Sequence, residues 1–142
     1  MDRVLLTAAA INGLLAVAAE AFGAHGLRES LAGRAFELYE TAVRYQMFHT
    51  VGLVAAGWAA GRGATAVLRA CGVCFAAGIV LFSGSLYALS LTGWRALGAI
   101  TPVGGVLFLV GWVLLARAAW RMPDRVPRRQ TPPQETTGAE TR

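Results

Sequence analysis

Charge is scarce in this chain, and lysine is absent: 13 basic residues, all arginine, and 8 acidic ones make up 15% of 142 residues. An ordinary soluble domain carries about 25%, so the chain lacks the means to build a water-facing surface. Its arginines are scattered through the gaps between apolar blocks with no interleaved aromatics, which argues against nucleic-acid binding despite a formal charge of +5. Cysteine occurs only at Cys71 and Cys74, inside an apolar run, so no disulfide framework of the small secreted kind exists. No glycine-rich phosphate loop, nucleophile elbow or triad pattern occurs, which leaves a hydrolase or kinase without support and points to a non-enzyme.

What is present is apolar. Hydrophobic residues make up 56% of the chain and the mean hydropathy is +0.52, gathered into four blocks separated by arginine- or glycine-bearing breaks. The expected fold is an all-α membrane protein. It is a four-transmembrane-helix bundle over residues 1–120, with spans at about 4–24, 42–60, 70–91 and 102–120. Residues 27–44 read as an amphipathic interfacial segment between the first two spans, because Leu31, Ala35, Leu38, Ala42 and Tyr45 recur at helical spacing while Arg34, Glu37, Glu40 and Arg44 fall elsewhere. The uncharged run 45–60 amounts to about 24 Å of helix, short of the ~30 Å hydrocarbon core, so the second helix should begin before Arg44. Glu40 and Arg44, four residues apart, are placed to pair. Thr101 is a plausible N-cap with Pro102 at the first helical position. A cleavable signal peptide is the rival reading of the first block, but its apolar stretch exceeds the usual 7–15 residues.

Residues 121–142, rich in arginine, proline, glutamine and threonine, read as a disordered cytoplasmic tail. Arg117, Arg121, Arg125, Arg128 and Arg129 are expected against anionic lipid headgroups. Together with Arg3, Arg62 and Arg69 they outweigh Arg28, Arg34, Arg44 and Arg95 on the other side, which places both termini in the cytoplasm of an inner-membrane, multi-pass protein. The bilayer is then the first partner. Small-xxx-small pairs such as Gly57 and Gly61, Gly52 and Ala56, or Gly72 and Ala76, with Gly104, Gly105 and Gly111, suit tight packing within the chain, while a homo-oligomer or a membrane-protein partner stays open.

Polar residues inside spans are the informative ones. Glu20, His25, Tyr45, Gln46, His49, Ser83, Ser85, Tyr87 and Thr101 all fall toward the non-cytoplasmic half, and Ser83, Tyr87 and Ser90 share one helical stripe, as do Asn12, Ala16 and Glu20. One reading is a hydrogen-bonded seam that orders the helices. The other is an outward-facing site of a small oligomeric transporter or proton-coupled carrier, with Glu20 as the proton or cation acceptor and a histidine as its partner. The histidines lack metal-ligand spacing, and the CxxC at 71–74 has no second ligand pair, so neither a metal nor another cofactor is expected.

Four segments carry a resemblance: Ala-Phe-Gly-Ala-His-Gly-Leu at 21–27, Thr-Ala-Val-Arg-Tyr-Gln-Met-Phe-His at 41–49, Phe-Ser-Gly-Ser-Leu-Tyr at 82–87 and Leu-Gly-Ala-Ile-Thr-Pro-Val-Gly-Gly at 97–105. In this order they resemble the YgdD-like (transmembrane protein 256-like) family of small membrane proteins over about residues 1–120. The resemblance implies four spans and an unassigned function, and it carries over no catalytic residue. The composition then favours an interaction, assembly or stress-related factor over an enzyme.

Overall fold

The computed structural model describes residues 1–31, 33–63 and 65–122, and it is helical nearly throughout. α1 (Arg3–Phe22) runs on through a π-turn, Gly23–Leu27. α2 (Arg34–Ala59) closes in a short 3-10 turn, Ala60–Arg62. α3 (Thr65–Gly78) and α4 (Gly84–Thr92) are two halves of one rod joined by a second π-turn, Ile79–Ser83. A 3-10 turn, Arg95–Ala99, leads into α5 (Thr101–Trp120). Three of these stretches, Arg3–Leu27, Thr65–Thr92 and Arg95–Trp120, are long and apolar enough to cross a bilayer.

α2 is different because it is the inner helix. Eleven of its residues are buried, against three in α1, and they include Gln46, His49 and Thr50. A helix enclosed by its neighbours can carry polar side chains where a lipid-facing one cannot. At 26 residues α2 is about 39 Å long. The amphipathic stretch 27–44 is therefore not a separate interfacial element: from Arg34 onward it is the start of α2, with Tyr39, Ala42 and Val43 already buried. Gly33, at φ +56°, breaks the chain just before Arg34, and the pattern that suggested a surface helix is one face of α2 meeting α1.

The rods run up and down in sequence. α1 lies along α2, α2 lies along α3 and α4, and α5 lies along α3. The central core joins Leu5 and Ala9 of α1, Leu53 and Ala56 of α2, Cys71 and Phe75 of α3, Ile79 of the π-turn and Phe108 of α5. One end is closed by Ala59, Ala60, Leu68 and Ala118, the other by Leu27, Tyr39 and Val43. Large apolar side chains on the outer faces, such as Leu14, Val17, Val51, Val80 and Leu109, are exposed, as a lipid-facing belt requires. The small residues serve packing between these rods. A Cβ on Gly57 would sit 3.1 Å from Leu5 and Leu6, and one on Gly52 would sit 2.9 Å from Phe75. Cys71 is buried and its thiol donates to the Gly111 carbonyl of α5 at 3.2 Å, so the first cysteine of the CxxC is a helix-packing residue.

Thr101 does not cap α5: it is the first helical residue, and its hydroxyl meets Ser85 Oγ at 2.8 Å. Hydrogen bonding across to α4 takes the hydroxyl away from its own backbone. Of the tail, Arg121 is described and exposed, while Arg125, Arg128 and Arg129 and the expected disorder lie outside the described residues.

The N-terminal end is tied by one acid. Asp2 Oδ1 accepts from the backbone N–H of Val4 (3.1 Å) and Leu5 (3.4 Å), an N-cap, while Arg69 Nε donates to Oδ2 at 2.6 Å. Its own N–H donates to the Gly57 carbonyl at 2.8 Å, so α1, α2 and α3 meet on this residue. The hydrogen bond from Arg69 holds the carboxyl below its usual 3.8, against the opposing effect of desolvation. A lowered folded pKa means that the stabilisation is present above 3.8 and is lost as pH falls through the lower folded value. Asp2→Ala should lower the melting temperature in detergent by a few degrees at pH 7 and by much less at pH 3, where wild type has lost most of the same interaction. Equal losses at both pH values would show that the charge pair contributes nothing.

Candidate functional site

The polar residues expected to form one outward site separate into four groups. The first is a hub on Gln46. Its Nε2 donates to Asn12 Oδ1 at 3.1 Å and to the Asn12 carbonyl at 3.3 Å, and the Tyr87 hydroxyl donates to its Oε1 at 2.8 Å. A backbone carbonyl can only accept, which fixes the amide orientation. The Tyr87 ring lies 5.1 Å from that of Tyr39, whose hydroxyl donates to the Ala19 carbonyl at 2.7 Å. One buried glutamine of α2 thus joins α1 to α4. Asn12 is visible in sequence as the only amide in the first span. Tyr39 carries no such signal, because its role depends on which helix lies across from it.

The second group is the Ser85–Thr101 pair between α4 and α5, with Ser85 Oγ also donating to the Phe82 carbonyl at 3.0 Å. Ser83 stands apart: it is 1% exposed and its hydroxyl has no partner among the described residues. The third group is Glu20 and His25, both exposed. His25 sits in the π-turn after α1, away from His49. Glu20 lines a hollow of about 280 Å³ with Glu40, Val43, Arg44 and Met47. The expected Glu40–Arg44 pairing does not form, since Arg69–Asp2 is the one ion pair within 4 Å among the described residues.

The fourth group builds a groove. Between α2 and α5 lies a hollow of about 580 Å³, lined by Arg44, Tyr45, Phe48, His49, Phe82, Gly105, Phe108, Leu109 and Trp112. α2 and α5 touch little, because each packs on the α3–α4 rod. Aromatic stacking organises the walls. His49 lies flat on Phe108, centroids 3.4 Å apart and planes at 7°, and Tyr45 lies on Phe82 at 4.4 Å and 24°. Trp112 stands edge-on to Phe75 at 5.1 Å. His49 Nδ1 is 2.8 Å from the Tyr45 carbonyl. The carbonyl can only accept, so Nδ1 carries the proton and Nε2 of the neutral ring is left as an acceptor. Phe108, Phe82 and Trp112 were not legible as site residues, since aromatics in an apolar span look like ordinary core or belt. Among the described residues no cluster of three or more histidine, cysteine or carboxylate side chains is placed to hold a metal.

A family model described as a protein of unknown function (DUF423) matches residues 19–105. A UPF0382 membrane protein of Staphylococcus epidermidis is 47% identical over 82% of this chain and 94% of its own length. The UPF0382 membrane protein YwdK of Bacillus subtilis is 45% identical over 82% and 96%. The UPF0382 inner membrane protein YgdD of Escherichia coli is 41% identical over 85% and 92%. No solved structure matches.

Proposed function

The chain belongs to the DUF423 family of proteins of unknown function, and on that premise we propose that it is a four-span inner-membrane protein that acts by binding partners within the bilayer rather than by catalysis or transport. The observation that carries this reading is the hub on Gln46: the polar side chains between α1, α2 and α4 satisfy one another instead of lining an open path. Buried amides and hydroxyls paired in this way are what interhelical hydrogen bonding in a bilayer uses for cohesion. Glu20, the residue a proton-coupled carrier would need, is exposed in the hollow beside Glu40 and Arg44 and is not joined to the hub.

α2 is the fourth span in this reading. Its buried Gln46, His49 and Thr50 lower its overall apolarity, and its neighbours shield them. Both termini are cytoplasmic, supported by Arg3, Arg62, Arg69, Arg117 and Arg121 gathering where α1 starts and α5 ends, against Arg28, Arg34, Arg44 and Arg95 at the other end. Arg117 and Arg121 then lie in the headgroup layer beside anionic lipid.

The purified protein in proteoliposomes should pass protons and small cations no faster than empty vesicles, and Glu20→Gln should change nothing. Flux above that background, abolished by Glu20→Gln, would replace this reading with the carrier. Orientation is checked separately: with Cys71 and Cys74 changed to serine, Ser30→Cys should react with an impermeant maleimide in intact cells and Arg121→Cys only after permeabilisation.

A further inference from the structure

The groove between α2 and α5 has features that neither cohesion nor partner binding accounts for. Its walls are aromatic, exposed Phe48 and Leu109 border it, and four of its lining side chains carry polar atoms: Arg44, Tyr45, His49 and Trp112. An apolar occupant reaches it from the lipid phase, past the exposed Phe48 and Leu109. The acceptor is His49 Nε2, held in one tautomer by the Nδ1–H bond to the Tyr45 carbonyl. The charged donor is the guanidinium of Arg44, which also borders the hollow shared with Glu20 and Glu40. The two are five positions apart on α2, about 7.5 Å of helix rise.

We infer that the groove binds a membrane-soluble quinol: a flat ring with hydroxyls on opposite edges and an apolar tail that leaves past the lipid-facing Phe48 and Leu109. One ring hydroxyl donates to His49 Nε2. The opposite oxygen accepts from Arg44. The ring face lies among Tyr45, Phe108 and Trp112, where aromatic stacking is favourable.

The obvious competitor is a phospholipid, with its phosphate on Arg44 and an acyl chain in the groove. Two observations disfavour it. Glu20 and Glu40 flank Arg44 in the adjoining hollow and offset its charge toward an anion, while leaving its N–H groups able to donate to a neutral oxygen. An acyl chain would also cover the His49 acceptor without pairing it, and an unpaired buried acceptor opposes binding.

The test uses the full chain in nanodiscs of zwitterionic lipid, titrated with a decyl-tailed benzoquinol and, separately, its quinone. Tryptophan fluorescence is the readout, because Trp112 is in the wall. Saturable quenching is expected, lost in Trp112→Leu. His49→Phe keeps a ring on Phe108 but removes the acceptor, and should weaken quinol binding about tenfold, with a smaller effect on the quinone, which has no hydroxyl to donate. Melting without ligand reports folding of that variant. If it is impaired, Arg44→Leu, at an exposed position, provides the second comparison and should weaken both ligands. Quenching that never saturates, or that is unchanged in both variants, would overturn the assignment. So would native mass spectrometry showing a phospholipid retained in the groove and undisplaced by either ligand.

Discussion

Gly104→Val is expected to be the most damaging single substitution in the bundle, lowering stability in detergent by roughly 3 kcal/mol, the upper range for overpacking a close contact. The reason lies in what a side chain there would meet. A Cβ on Gly104 would fall 2.8 Å from Phe82 Cα and closer still to the Phe82 backbone nitrogen. Side chains can rotate away and backbone cannot, so α5 would have to leave the α3–α4 rod. Gly111 and Gly78 are also crowded, by the rings of Phe75 and Phe108 and, at Gly78, by the Gly104 carbonyl at 3.2 Å, but no backbone atom comes as near as at Gly104. Two controls separate close approach from glycine chemistry. Gly84 has nothing within 4 Å and ordinary helical dihedrals, so Gly84→Ala should be neutral or stabilise by up to ~1 kcal/mol. Gly105, only 3.8 Å from Phe82, should accept alanine. Thermal melting followed by size exclusion ranks all three variants. If Gly104→Val melts with Gly84→Ala, α5 does not pack where it has been placed.

Much of this architecture is readable before any coordinates, and the part that is not has a common physical cause. The outer helices declare themselves because lipid demands apolar side chains, and their lengths follow from the thickness of the bilayer. α2 is harder because one face of it is covered by protein: packed on α1, α3 and α4, that face can hold Gln46, His49 and Thr50, so its hydropathy understates its depth. The same enclosure made residues 27–44 look interfacial, when Tyr39 and Val43 in fact face α1 and α4. Gln46 and Tyr87 were recognisable individually as polar residues in apolar company. That Gln46 bonds to Asn12 rather than to His25 or Glu20 depends on the rotation of α1, which a stripe of Asn12, Ala16 and Glu20 describes only to within one helical face. The π-turns at Gly23–Leu27 and Ile79–Ser83 each add a residue to their turn, which changes the facing of His25 relative to α1 and of Tyr87 relative to α3. The aromatic groove left no mark in the sequence, because it consists of a gap between α2 and α5.

Gln46→Leu is the substitution with the next largest expected effect, and it decides whether the hub is cohesive. Hydrogen bonds between transmembrane helices contribute ~0.6 kcal/mol on average and up to ~1.7, but leaving buried partners unpaired costs about 1–3 kcal/mol. Gln46→Leu removes the side-chain bonds to Asn12 and Tyr87 together and leaves both without a partner in this interface. A loss of about 2 kcal/mol is therefore expected, against ~1 kcal/mol for Tyr87→Phe, which removes one donor. The triple variant Asn12→Leu, Gln46→Leu, Tyr87→Phe should regain part of the loss, because no polar group is then left unpaired. That non-additivity is the signature of a network: independent contacts would sum, whereas a satisfied cluster is costly to break singly and tolerable to replace as a whole. Strict additivity across the three positions would mean that the hydrogen bonds on Gln46 do not hold the helices together, and the reading of these side chains as cohesion would fall with it.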